Sequence, residues 1–165
     1  MIRGAAERSH SPTISVPPPP VSTVRAATVS DAEEIARLLT QLGHPTSAAD
    51  VRTTWDVWSA EGNRALVAER DDGGVVGVVT LHRMRVLHRR RPVGRVTALI
   101  VDEPERGTGI GRALMAAGER LLEEDGCGLI EITSNNRLVD AHAFYRSLGY
   151  EQTSVRLAKT LVPAG

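Results

Sequence analysis

The stretch from Val93 to Leu122 constrains the fold more than any other part of the chain. Val93 to Val101 is an apolar, β-branched run, Gly107, Gly109 and Gly111 follow it at alternate positions, and the apolar spacing then changes. From Ile110 onward, Ala113, Leu114, Ala117, Leu121 and Leu122 recur at helical spacing and make one stripe. A strand that passes through a glycine turn into an amphipathic helix belongs to layered α/β architectures. The same unit is an anion site in physical terms. The first amides of a helix have no intrahelical acceptor, the helix dipole adds partial positive charge there, and glycines let a phosphate approach the backbone. Arg106 and Arg112 flank the turn and can add charge-assisted hydrogen bonds.

Several readings of such a turn compete. A P-loop needs Lys and then Ser or Thr after its last glycine, and here Arg112 and Ala113 follow Gly111. A dinucleotide fingerprint needs the spacing Gly-x-Gly-x-x-Gly, whereas these three glycines alternate. What remains is a different phosphate turn or a glycine-rich helix start that holds no ligand.

Arg106-x-x-Gly109-x-Gly111, set between an apolar strand and an amphipathic helix, resembles the coenzyme A pyrophosphate loop of the GNAT acetyltransferase superfamily. The segment Asn135 to Glu151, with Ala141-His142-Ala143-Phe144-Tyr145 and then Leu148-Gly149-Tyr150, resembles that superfamily's second signature. The resemblance extends from Val24 to Leu161 and is most specific from Val93 to Glu151. It implies an acetyl-coenzyme A-dependent N-acetyltransferase. Backbone groups of Leu99, Ile100 and Val101 would bond the pantetheine arm. The amides of Gly107, Thr108, Gly109, Ile110, Gly111 and Arg112 would hold the pyrophosphate, with Arg106 beside it and Gly111 leaving it room. Asn135 would contact the pantetheine, Phe144 would pack along the cosubstrate or in the core, and Tyr145 would protonate the departing thiolate. Many members carry a carboxylate in the middle of the fourth strand, where this chain has Thr97 and Ala98. His142 and Glu131 are alternative proton acceptors, and a water chain to solvent is the default.

The rest of the sequence supplies layers around that unit. Residues 1–21, with Ser9, Ser11, Ser15 and Pro17 to Pro20, read as a disordered Pro/Ser-rich tail, and residues 22–165 as one acetyltransferase domain. Val24 to Thr28 reads as a short strand. A capping box at Ser30 to Glu33 opens a helix with Ile35, Leu38, Leu39 and Leu42 inward, and a second helix spans Ser47 to Glu61. Asp71-Asp72-Gly73-Gly74 is a hairpin signal between Arg64 to Arg70 and Val75 to Val86. After the glycine turn and its helix come a strand at Leu129 to Ser134, a helix at Asp140 to Leu148, and a terminal hairpin or two short strands over Tyr150 to Leu161. The expected order is β-α-α-β-β-β-α-β-α-β-β: an α/β fold with a mixed, mostly antiparallel central sheet and helices on both faces.

Twenty basic against twenty acidic residues leave no net charge, so the overall balance offers nothing to nucleic acid. One cysteine, no cluster of metal-ligand spacing, no membrane-length apolar run and no apolar leader together suggest a cytoplasmic enzyme without a metal. His82 to Arg85 and His88 to Arg91 form a dense basic cluster. It is either a solvated turn or an attractor for an anionic acceptor. The leading expectation is transfer to a primary amine of a small molecule by direct attack. Acetylation of protein Lys or N-termini, and coenzyme A binding without turnover, are the alternatives. The sequence sets no oligomeric state, and a homodimer stays open.

Overall fold

The computed structural model describes residues 21–135 and 138–161. The expected Pro/Ser-rich tail lies outside them, except for Val21, which already belongs to the first strand. In chain order the elements are β1 (Val21–Ala26), α1 (Ala32–Gln41), α2 (Ala48–Ala60), β2 (Asn63–Arg70), β3 (Val75–Met84), β4 (Val93–Val101), α3 (Ile110–Glu124), β5 (Leu129–Ile132) and α4 (Val139–Ser147). The five strands lie in sequence order in one sheet. Every neighbouring pair is antiparallel except β4 and β5, which are parallel.

Alternation along the central strands, interrupted by two bulges, creates two cores. Ala65, Val67, Val78 and Ile100 join Ile35 and Leu38 of α1, with Val51, Trp55 and Trp58 of α2 packed alongside. Leu66, Ala68, Val79, Leu81 and Val96 face the other way and meet Ile110, Leu114, Met115 and Leu122 of α3. Because both faces are covered, these strands read as continuous apolar runs rather than alternating ones. Two strand glycines set how close α3 lies. A Cβ at Gly94 would stand 2.7 Å from Leu122 Cδ1, and one at Gly77 would stand 2.9 Å from Leu114 Cδ1. The missing side chains are the space that the two leucines fill.

The entry to α1 differs from the sequence expectation by two residues. The Thr28 N–H donates to Asp31 Oδ2 at 2.8 Å, so the box runs from Thr28 to Asp31 around a short 3-10 turn. Asp31 also accepts two bonds of 2.9 Å from the Arg25 guanidinium, which reaches Glu69 as well. Arg25 holds the Asp31 carboxyl below its ordinary pKa, against the opposing effect of burial. A depressed folded-state pKa contributes stability that is complete above the ordinary value of 3.8 and is lost as pH falls through the depressed one. Asp31→Asn should therefore cost about 1 kcal/mol at neutral pH, with the partly exposed Arg25 limiting the figure. In urea unfolding, the gap between wild type and variant should close in strong acid; a gap that stays constant down to about pH 2 would remove Asp31 from the acid response.

The terminal hairpin expected over Tyr150 to Leu161 is corrected by the structure. Residues 151–161 form no strand, and Val155, Leu157 and Leu161 are exposed. Pairing there would have to extend the sheet from the four residues of β5. So short an edge and so few apolar side chains offer too little burial to offset the ordering of the segment.

Candidate active site

Strands β4 and β5 pair only from Val93 to Val96 against Leu129 to Ile132. Beyond that point β4 keeps β3 on one side, where Ala98 to Val101 are paired. Its other edge has no strand among the described residues. The divergence begins at a bulge: Thr80 stands opposite Ala98 and Leu81 opposite Val96, which leaves Thr97 as the extra residue. Its hydroxyl bonds the Thr80 hydroxyl at 2.7 Å and the Thr80 carbonyl at 3.1 Å. The slot so formed runs past Leu99, Ile100 and Val101 and opens at the carboxyl ends of two parallel strands, where α/β sheets commonly take ligands.

At the open end of the slot stands the glycine turn. Asp102 caps a 3-10 turn at Glu103–Glu105, and the chain then passes through Gly107 and Gly109 with φ of 80° and 94°. Both conformations are costly for other residues, and a Cβ on either would meet nothing within 4 Å, so open space surrounds these two positions. The Ala113 N–H donates to the Gly109 carbonyl at 3.0 Å as the first bond of α3. The amides of Ile110, Gly111 and Arg112 are thereby left without intrahelical acceptors. This arrangement fits a diphosphate. Thr108 steadies it, its hydroxyl donating to the Glu105 carbonyl at 2.6 Å.

Three expectations about this turn change in detail. A Cβ at Gly111 would face Phe144 Cζ at 3.4 Å and Val101 Cγ2 at 3.7 Å, ordinary contact distances, so this position is turned toward α4 and β4. Arg106 turns back, its Nε donating to the Val101 carbonyl at 3.2 Å. Arg112 donates to Ser147 Oγ at 3.1 Å and ties α3 to α4. Each guanidinium still has other donors for an anion.

Helix α4 covers one side of the slot. The Phe144 and Tyr145 rings are 5.4 Å apart, and Tyr145 stands 6.1 Å from Tyr150, whose hydroxyl donates to Glu119 at 2.8 Å. Among the described residues the Tyr145 hydroxyl has no hydrogen-bond partner. Burial raises its pKa above that of a free phenol, so it is protonated at neutral pH and can donate. His142 lies three residues earlier on the same helix. Glu131 is ion-paired with Arg95. Asn135 lies between β5 and α4, its carbonyl accepting the Leu138 N–H at 3.0 Å. Phe144, Tyr145, Leu99 and Val101 thus share the α3 side of the sheet.

Two supporting groups escaped the sequence reading. Glu105 is buried and accepts from Arg70 Nη1 of β2 at 2.9 Å. Asp102 accepts from Arg37 and Gln41 of α1 at 2.8 and 2.9 Å; burial raises its pKa, but these bonds outweigh it and hold the group below the ordinary carboxylate value. Asp102-Glu103-Pro104-Glu105 reads as a solvated acidic turn, and no spacing links it to cations more than thirty residues away. The basic cluster lies elsewhere. Arg83 donates to the Asp125 carbonyl at the end of α3, and His88 to Arg91 line a shallow depression of about 310 Å³ with Pro92, Gly128 and Leu129. That is the amino end of β4, roughly 26 Å along the strand from the glycine turn.

The described residues contain no group of three or more His, Cys, Asp or Glu side chains that could hold a metal, and no helix long and apolar enough to cross a membrane. The profile of the Acetyltransferase (GNAT) family matches residues 30–150. The chain belongs to the GNAT acetyltransferase family. It is therefore an acyltransferase. This GNAT chain is 32% identical over 145 residues to the aminoalkylphosphonate N-acetyltransferase of Salmonella typhimurium, covering 86% of this chain and 93% of that one. It is 32% identical over 139 residues to an aminoglycoside N(6')-acetyltransferase of Stenotrophomonas maltophilia, covering 79% and 87%. Among solved structures, a Trypanosoma brucei acetyltransferase superposes with a TM-score of 0.74 at 24% identity, over 84% of this chain and 99% of that one. An aminoglycoside N-acetyltransferase in complex with CoA superposes with a TM-score of 0.73 at 19% identity, over 85% and 95%. At these identities the two structures speak for the fold.

Proposed function

We propose that this GNAT enzyme transfers the acetyl group of acetyl-coenzyme A to a primary amine of a small molecule, by direct attack within a ternary complex. The observation that carries the reading is the edge of β4, without a strand neighbour beyond Val96 among the described residues, leading into the acceptor-free amides of Ile110, Gly111 and Arg112. The edge offers the amides and carbonyls of Leu99 and Val101 to a pantetheine arm, whereas those of Ile100 are turned to Val78 of β3, and the turn offers its acceptor-free amides to the diphosphate. Both curated relatives named above are acetyltransferases of small amines, which supports the acceptor class.

The chemistry asks for few protein groups. An alkylammonium, with an ordinary pKa of about 10.4, must lose a proton before its nitrogen can attack the thioester carbonyl. The new C–N bond forms as the carbonyl oxygen takes up negative charge, and the C–S bond breaks as the tetrahedral centre collapses. The thiolate accepts a proton from the Tyr145 hydroxyl, and the second proton shed by the nitrogen as it becomes an amide restores that hydroxyl through water. Thr97 and Ala98 supply no carboxylate to the slot, so the ammonium proton leaves through water or His142. The buried Cys127 thiol suits a reducing compartment, and we place the reaction in the cytoplasm.

Release of free thiol from acetyl-coenzyme A should appear with aminoalkylphosphonates, aminoglycosides or other small primary amines. Turnover confined to peptides would move the acceptor to proteins. Binding of coenzyme A with no turnover on any amine would leave a non-catalytic sensor.

A further inference from the structure

The anion turn carries a negative charge immediately before it in the chain. Glu105 is buried, with its side chain 6% exposed, and it is the last residue of the 3-10 turn that delivers the chain into Arg106 and Gly107. Its backbone carbonyl anchors Thr108, so it belongs to the turn's framework. A buried carboxylate here would oppose a bound diphosphate. Arg70, the last residue of β2, reaches it from the β2–β3 hairpin, with Asp72 on the exposed side of the same guanidinium.

We infer that Arg70 is a positioning residue for cosubstrate affinity: by pairing with Glu105 it neutralises a buried charge beside the turn and lets the turn accept a diphosphate-bearing ligand. The inference rests on the reading of the turn as the coenzyme A site. Two unit charges on the order of 10 Å apart at an interface repel enough to change affinity about tenfold. The effect depends on ligand charge, which distinguishes it from a loss of shape.

The test is titration calorimetry of the full chain with coenzyme A and with pantetheine, which has the same arm and no phosphates. Wild type should prefer coenzyme A. Arg70→Met should weaken coenzyme A about tenfold and leave pantetheine unchanged, and Arg70→Met with Glu105→Gln should recover most of the loss. Glu105→Gln alone removes the negative charge beside the turn while Arg70 keeps Asp72, and should tighten coenzyme A several-fold, which provides a test should Arg70→Met fail to fold. Equal losses for both ligands, a double variant as weak as Arg70→Met, or a Glu105→Gln variant no tighter than wild type would overturn the role of Arg70. A wild type with no preference for coenzyme A would overturn the diphosphate reading of the turn, and this inference with it. A preference that survives Arg70→Met unchanged would overturn this inference alone.

Discussion

Replacing Tyr145 by Phe is expected to slow acetyl transfer by roughly 10²- to 10⁴-fold while leaving the fold and coenzyme A affinity nearly intact. The substitution keeps the ring, which packs against Phe144 and Tyr150 on the α3 side of the sheet. It removes only a hydroxyl that makes no hydrogen bond with the described residues, so no buried partner is orphaned and stability should change by less than about 1 kcal/mol. The chemical step is read most directly in a single turnover, with enzyme saturated by acetyl-coenzyme A and mixed with the amine identified by thiol release. If product release limits steady-state turnover, the fall in kcat will be smaller than the fall in the single-turnover rate. Equal single-turnover rates for the two proteins would return Tyr145 to the role of a packed ring.

The second large effect is expected at Gly109. Its φ of 94° is a conformation that side-chain-bearing residues adopt only at a cost of about 1–3 kcal/mol, and a Cβ there would enter open space beside the turn. Gly109→Glu adds a negative charge at the place proposed for the diphosphate. Coenzyme A affinity should fall by more than about a hundredfold, and the stabilisation of some 2.7 kcal/mol that wild type gains at a hundred times its Kd should vanish from thermal melts. Gly109→Ala separates the two causes, because its Cβ would meet no atom within 4 Å and it adds strain without charge. Ala should lower the melting temperature about as much as Glu does while keeping most of the ligand-induced shift. A folded Gly109→Glu protein that still responds fully to coenzyme A would place the diphosphate elsewhere. Gly111→Glu is the less informative variant, since Phe144 and Val101 occupy its surroundings and a loss there would report the docking of α4.

Much of this protein was decided by local pattern. The turn at Asp71 to Gly74, the bounds of β4, the stop of α3 at Gly126 and the stripe from Ile110 to Leu122 all follow from short-range rules: glycine where φ is positive, period two in strands, period 3.6 in helices. The acceptor-free helix start at Ile110 was legible for the same reason, because it is a property of consecutive residues. Sequence also brought Phe144 and Tyr145 into the candidate site, through a signature resembling that of a known family. It did not reveal which way Gly111 faces, since a glycine open to a phosphate and one turned toward a phenyl ring look alike until α4 is docked. Nor did it reveal that Arg70 and Arg37 brace the turn, because an ion pair closed across a sheet leaves no spacing to read. The terminal hairpin shows the converse. Residues 151–161 contain alternation enough to suggest strands, yet a strand exists only where a partner edge and a face to bury await it, and those are supplied by the tertiary structure alone.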